Sequence, residues 1–128
     1  MDHGGVHGTD HAFNRLVAEA LELIPEEFRP YLENVEIVVE DWPSEDLLEA
    51  MGIPEDEGLY GLYTGTPLPE RPYDYAALPD RIILFRGPLL ADFPAPEELR
   101  REVALTVLHE IAHHFGIAEA RLDELGFG

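Results

Sequence analysis

Leu108-His109-Glu110-Ile111-Ala112-His113-His114-Phe115-Gly116 is the stretch from which the rest of the chain can be read. It closes a long run of helical apolar spacing in which Ala104, Leu108, Ile111, Ala112 and Phe115 make one stripe. Residues four apart on a helix project from one face about a turn from each other, so His109 and His113 point the same way. Two imidazole nitrogens at that spacing can reach one tetrahedral Zn²⁺. Glu110 lies about 100° round the helix from His109. That is too far round for a third ligand but close enough to touch a metal-bound water. A carboxylate there can take the water's proton and pass it to a leaving amine. His-Glu-x-x-His therefore carries two ligands and a general base in five residues. The same letters also arise on amphipathic helices that hold no metal. Here Gly116 follows His113 by three residues and Glu119 follows Gly116 by three more, which sets the stretch apart. His114 projects from another face and is not counted as a ligand.

His109-Glu110-x-x-His113-x-x-Gly116-x-x-Glu119 resembles the extended pattern of the metzincin peptidases. There a Gly turns the chain after the second His, and a third ligand arrives ten residues after the first. That ligand is usually His; here the residue is Glu. The chain as a whole is similar to the small bacterial zincin-like metallopeptidases, acidic single domains that end soon after the motif, with an acid as third ligand. Phe13-Asn14-Arg15-Leu16-Val17 and Gly61-Leu62-Tyr63-Thr64-Gly65-Thr66-Pro67-Leu68 support the resemblance, which spans roughly residues 12–126. The run from His109 to Ile117 is its specific part.

The resemblance implies an α+β, minimal zincin-like fold: a small mixed or antiparallel sheet of about three strands, packed on the active-site helix and an N-terminal helix. It implies zinc as cofactor, held by His109, His113 and Glu119. It also implies hydrolysis of a peptide or protein substrate, with Glu110 as base. Two departures stand out. No Met follows Met51, so the Met-containing turn beneath a metzincin zinc is missing. Neither Tyr nor His follows Glu119, so oxyanion support is expected from upstream, where Tyr60, Tyr63, Tyr73 and Tyr75 all remain open. Asp123, one turn beyond Glu119, is the alternative third ligand. Glu124 is the remaining acid downstream, and Arg121 could pair with one of the acids after His113 and fix its orientation.

At 128 residues the chain makes one domain with room for a core. A net charge of −19 repels phosphate backbones, which excludes nucleic acid and favours a basic peptide or protein partner; a role in solubility is the plainer reading of the same charge. No stretch reaches the length of a membrane span, so no membrane partner is expected. No apolar secretory segment opens the chain, and there is no Cys for disulfides or thiolate metal sites. A cytoplasmic location is the expectation. Oligomeric state is not readable.

Residues 1–11 read as a flexible tail and 12–128 as the single domain. The tail carries His3, His7 and His11, and a free amine followed by His at position three can hold Cu(II) or Ni(II). A tail with no role is the simpler view. Phe13–Phe28 reads as a helix capped by Asp10 and interrupted at Pro25, with Leu16, Val17, Ala20, Leu21 and Ile24 facing the core. Val35–Glu40 alternates as a strand. Ser44 caps a short helix, Glu45–Met51, that stops at Gly52. An acidic loop, Ile53–Gly58, precedes a strand at Leu59–Thr64. Gly61 within that strand marks a bulge or a close backbone approach, and the strand is the candidate edge for an extended substrate. After a Pro- and Tyr-rich loop, Pro69–Pro79, the apolar run Arg81–Arg86 reads as a strand buried on both faces, ended by Gly87-Pro88 and antiparallel to the strand before it. Pro96 opens the active-site helix, Gly116 ends it, and Ala118–Leu125 makes a last short helix.

Two further readings compete with a peptidase. One is a zinc-binding regulatory or interaction module with little catalysis, which the small size favours. The other is a zinc-dependent endoribonuclease of the small bacterial kind. That group uses a related three-His pattern; Glu110 and the negative charge argue against it here.

Overall fold

The computed structural model describes residues 6–53, 59–65 and 80–126. Over these the chain runs β1 (Val6–His7), α1 (His11–Leu21), a 3-10 segment (Glu26–Leu32), β2 (Val35–Glu40), α2 (Glu45–Met51), β3 (Gly61–Thr64), β4 (Asp80–Phe85), α3 (Arg86–Asp92), α4 (Pro96–Phe115) and α5 (Glu119–Glu124). The Pro69–Pro79 loop with Tyr73 and Tyr75, most of the acidic stretch after Ile53, and His3 lie outside the described residues.

The strands form one mixed sheet in the order β1-β2-β4-β3. β2 runs parallel to β1 and β4, and β3 pairs antiparallel with β4, Gly61 opposite Leu84 and Thr64 opposite Arg81. This is the expected α+β arrangement with one strand more than the three anticipated. The added strand comes from the stretch read as a tail: Val6 and His7 pair with Ile37 and Val38. Polar contacts hold that stretch, and a search for apolar period does not register them. The Phe13 N–H donates to the Asp10 carboxylate (3.0 Å), the Asn14 amide donates to the Gly8 carbonyl (2.9 Å), and Arg86 pairs with Asp10 (3.0 Å).

The first helix stops at Leu21, and the interruption expected at Pro25 is present, with the 3-10 segment following it. Pro25 lacks an N–H and disfavours helix in the residue before it, so the chain leaves the helix by tight turns through Ile24. Phe28 is nonetheless buried, carried into the core by the 3-10 segment. Phe13, Val17, Ala20 and Ile24 meet Ile37, Ile82 and Leu84 of the sheet and the apolar face of α4. The Ser44 cap and left-handed Gly52 of α2 are as anticipated. Helix α3 was not. Gly87-Pro88 ends the strand but sits in the first turn of a new helix, where the missing proline N–H would have had no partner anyway. Gly87 is fixed by close approach, since a Cβ there would lie 2.2 Å from the Trp42 indole.

Helix α4 begins with Pro96 at its first position and Glu97 and Glu98 in the first turn, where negative charge suits the helix dipole. Its buried face is two adjacent rows: Leu99, Val103, Val107 and Ile111 beside Ala104, Leu108 and Ala112. Phe115, expected in this stripe, is 44% exposed. The last turn runs past the end of the core, and the ring stands against Tyr31, Tyr63 and His114 instead. Gly116, at φ 70°, ends the helix; the Ile117 N–H bonds back to Ala112 (2.9 Å), and Ile117 packs on the core. Among the described residues no helix is long and apolar enough to cross a membrane.

Candidate metal centre

The site is built where the edge strand β3 lies on α4. Gly61 permits that contact: a Cβ would stand 2.6 Å from the Thr106 methyl and 3.2 Å from the Ile83 carbonyl. The close approach anticipated for this glycine is therefore present, and any larger residue would lift the strand off the helix. In β3 the Tyr60 carbonyl accepts from the Phe85 N–H (2.9 Å), so by antiparallel alternation Leu62 and Thr64 face β4 while Gly61 and Tyr63 turn their N–H and C=O outward. The outward Tyr63 N–H donates to Glu110 Oε1 at 2.8 Å. Glu110 is thus docked on the edge strand, a link the sequence did not disclose because it joins groups 47 positions apart, one of them backbone.

Tyr63 does more than offer its amide. Its ring stacks on His114 (centroids 3.9 Å apart, planes at 15°), and its hydroxyl donates to Asp80 at 2.8 Å. His114 is occupied by this stack, not by the neighbouring imidazoles. The Tyr60 hydroxyl donates to Asp92. That bond, then partial burial and the negative charge of Asp92 and Glu102, pushes the phenol pKa up to about 12. Both described tyrosines named as oxyanion candidates therefore have their hydroxyls engaged.

Glu119 arrives on α5, which the Gly116 turn folds back beside the end of α4. Its Oε1 lies 3.2 Å from His109 Nδ1 and 3.8 Å from His113 Nε2. One oxygen of Glu119 thus stands near both rings. The other acid considered as a ligand, Asp123, makes no such contact with either ring among the described residues. Donor atoms about 2.0–2.1 Å from a tetrahedral zinc stand roughly 3.3 Å from each other, so the contacts to Glu119 are close to the edges of such a tetrahedron. The chemistry of the set, two imidazoles and a carboxylate, also fits zinc. Among the described residues no three donors are already arranged as a coordination set, and the Glu119 carboxylate lies 3.2 Å from His109 Nδ1. His109 is 34% exposed, against 68% for His113 and 62% for Glu119, so the centre is open on the α5 side.

Arg121 secures α5. Its guanidinium reaches the Glu27 carboxylate at 2.5 and 2.9 Å and Glu124 at 2.8 Å, tying α5 to the 3-10 segment. The hydrogen bond to Arg121 holds the Glu27 pKa below its ordinary range, and the Arg121 pKa is raised in turn. Arg121 was expected to pair with an acid close to it in sequence, and Glu124 is that acid; its other partner, Glu27, comes from the other end of the chain.

Beside the His109–Glu110 turn lies a cleft of about 320 Å³. Leu59, Tyr60 and Gly61 form one wall, and Glu102, Leu105, Thr106, His109 and Glu110 of α4 form the other.

Residues 32–128 match the model of the zincin-like metallopeptidases. Among solved structures, the chain is similar to a conserved hypothetical protein from Thermo thermophilus, at 28% identity and a TM-score of 0.55 over 88% of this chain and 99% of that one. A search of the curated proteins finds no match. The matched residues include all of α4, β3 and α5, and the fold is the small α+β one described above; the chain belongs to the zincin-like metallopeptidase family.

Proposed function

We propose that the protein is a zinc-dependent peptidase in which His109, His113 and Glu119 hold the metal and Glu110 is the general base. One arrangement carries the reading: a carboxylate from a second helix reaches both imidazoles, while the acid next to His109 is docked on an edge strand. Zinc held by these three residues would supply Lewis acidity, lowering the pKa of a water there toward about 7. An extended peptide lies along β3 and pairs with the outward N–H and C=O of Gly61. Glu110 keeps Oε1 on the Tyr63 amide, which leaves Oε2 to take the proton of the attacking water and deliver it to the leaving amine nitrogen. A peptide of basic character suits the net charge of −19, and a cytoplasmic location suits a chain without Cys.

The engaged hydroxyls of Tyr60 and Tyr63 favour a second reading, a zinc-binding module with little catalysis. Metal content measured on wild type, His109→Ala, Glu119→Ala and Asp123→Ala tests the centre. About one zinc per wild-type chain, lost in the first two variants and kept in the third, is the expected result. Zinc kept in Glu119→Ala and lost in Asp123→Ala would move the third ligand, and a wild type that takes up no zinc would end both readings. Glu110→Gln is expected to keep zinc and lose hydrolysis of a peptide library by at least about a hundredfold. Zinc binding without hydrolysis in wild type selects the module.

A further inference from the structure

We propose that the cleft between β3 and α4 receives a lysine or arginine side chain of the substrate, with Glu102 as its charge partner. This rests on the peptidase reading for its setting and deepens it to a substrate class. At one end the cleft touches His109 and Glu110. At the other, two helical turns and about 10 Å along α4, stands Glu102. Its carboxylate has no hydrogen-bond or ion-pair partner among the described residues; only its backbone carbonyl is used, accepting from the Thr106 hydroxyl at 2.8 Å. The two arginines next to it in sequence are committed elsewhere, Arg100 to Glu19 and Arg101 to the Gly126 carbonyl.

Between the two ends the lining is largely apolar, from Leu105 and the Thr106 methyl on α4 to Leu59 opposite. The far end is negative: the Tyr60 phenol there is bonded to Asp92 and feels the charge of Glu102, and these two carboxylates together help to hold its proton. An apolar passage that opens at a carboxylate matches an aliphatic stem with a cationic head. An acidic side chain would meet like charge, and a short one would leave Glu102 without a partner.

Two pools of short fluorescent peptides test the idea, randomised except for a central residue that is lysine in one and its uncharged straight-chain analogue norleucine in the other. Cleavage by zinc-loaded wild type is read beside binding to zinc-loaded Glu110→Gln. The lysine pool is expected to be preferred by roughly tenfold. The preference should shrink toward unity when Glu102→Gln is introduced, and Glu102→Arg should reverse it in favour of the norleucine pool. Equal treatment of the two pools by wild type, or a lysine preference that survives Glu102→Gln, would overturn the assignment while leaving hydrolysis intact. Absence of any cleavage would count against the peptidase reading alone; the binding preference in Glu110→Gln then decides the cleft, and no binding of either pool would overturn it.

Discussion

Gly61 and Glu110 set the dimensions of the site. With a Cβ at Gly61 the strand would have to move away from Thr106 or Thr106 from the strand, and overpacking of this kind costs about 1–3 kcal/mol. Gly61→Ala is therefore expected to lower stability by that amount in urea unfolding. It should also weaken hydrolysis more than zinc binding, because the amide that holds Glu110 sits two residues along the displaced strand while both histidines stay on α4. Equal stability of the variant and wild type would show that the contact relaxes freely. The position was marked in the sequence as a glycine inside a strand, but what it touches was not. A residue type signals that backbone must come close to something; the identity of the partner, here a threonine 45 positions away, depends on the tertiary packing.

Helix α5 carries Glu119, the proposed third ligand, and it is only six residues long. So short a helix has little stability of its own. Leu122 in the core and the Arg121 contacts to Glu27 and Glu124 keep it in place. Glu27 has a folded pKa below its ordinary 4.5, so its contribution is present above that value and is lost as pH falls through the lower, folded one. In metal-free protein the gap in Tm between wild type and Glu27→Gln should be open at pH 7 and close in acid below about pH 4.5. A gap that persists unchanged into strong acid would mean that the pair does not anchor α5. The ends of α4 and α5 were legible because Pro96, Gly116 and the apolar period are local signals. Helix α3 was not, since Gly87-Pro88 reads equally as the end of a strand or the first turn of a helix, and Trp42, which fixes the choice by packing on Gly87, comes from a distant loop.

At the scale of the whole molecule charge is the dominant feature. Acids outnumber basic residues 27 to 8, and most of the described arginines are already paired or bonded to carbonyls. Self-repulsion therefore outweighs the surface ion pairs, which contribute little individually. Raising ionic strength from about 0.01 to 0.15 M shortens the Debye length from about 30 to 8 Å and is expected to raise Tm; a fall would give the ion pairs the larger share. The sheet order could not be read in advance, because β1 is two residues long and its pairing rests on Asp10 and Asn14 rather than on any repeat. The edge strand also bears on self-association. An open sheet edge that accepts a peptide can equally accept the edge of another copy, which is the usual origin of strand-to-strand aggregation. Within β3 only Gly61 and Tyr63 face outward, and Glu110 already occupies the Tyr63 amide. With the Tyr63 N–H taken, no two successive outward residues of β3 can both donate to an incoming strand, so the Glu110 carboxylate also acts as a gatekeeper against fibre-like growth.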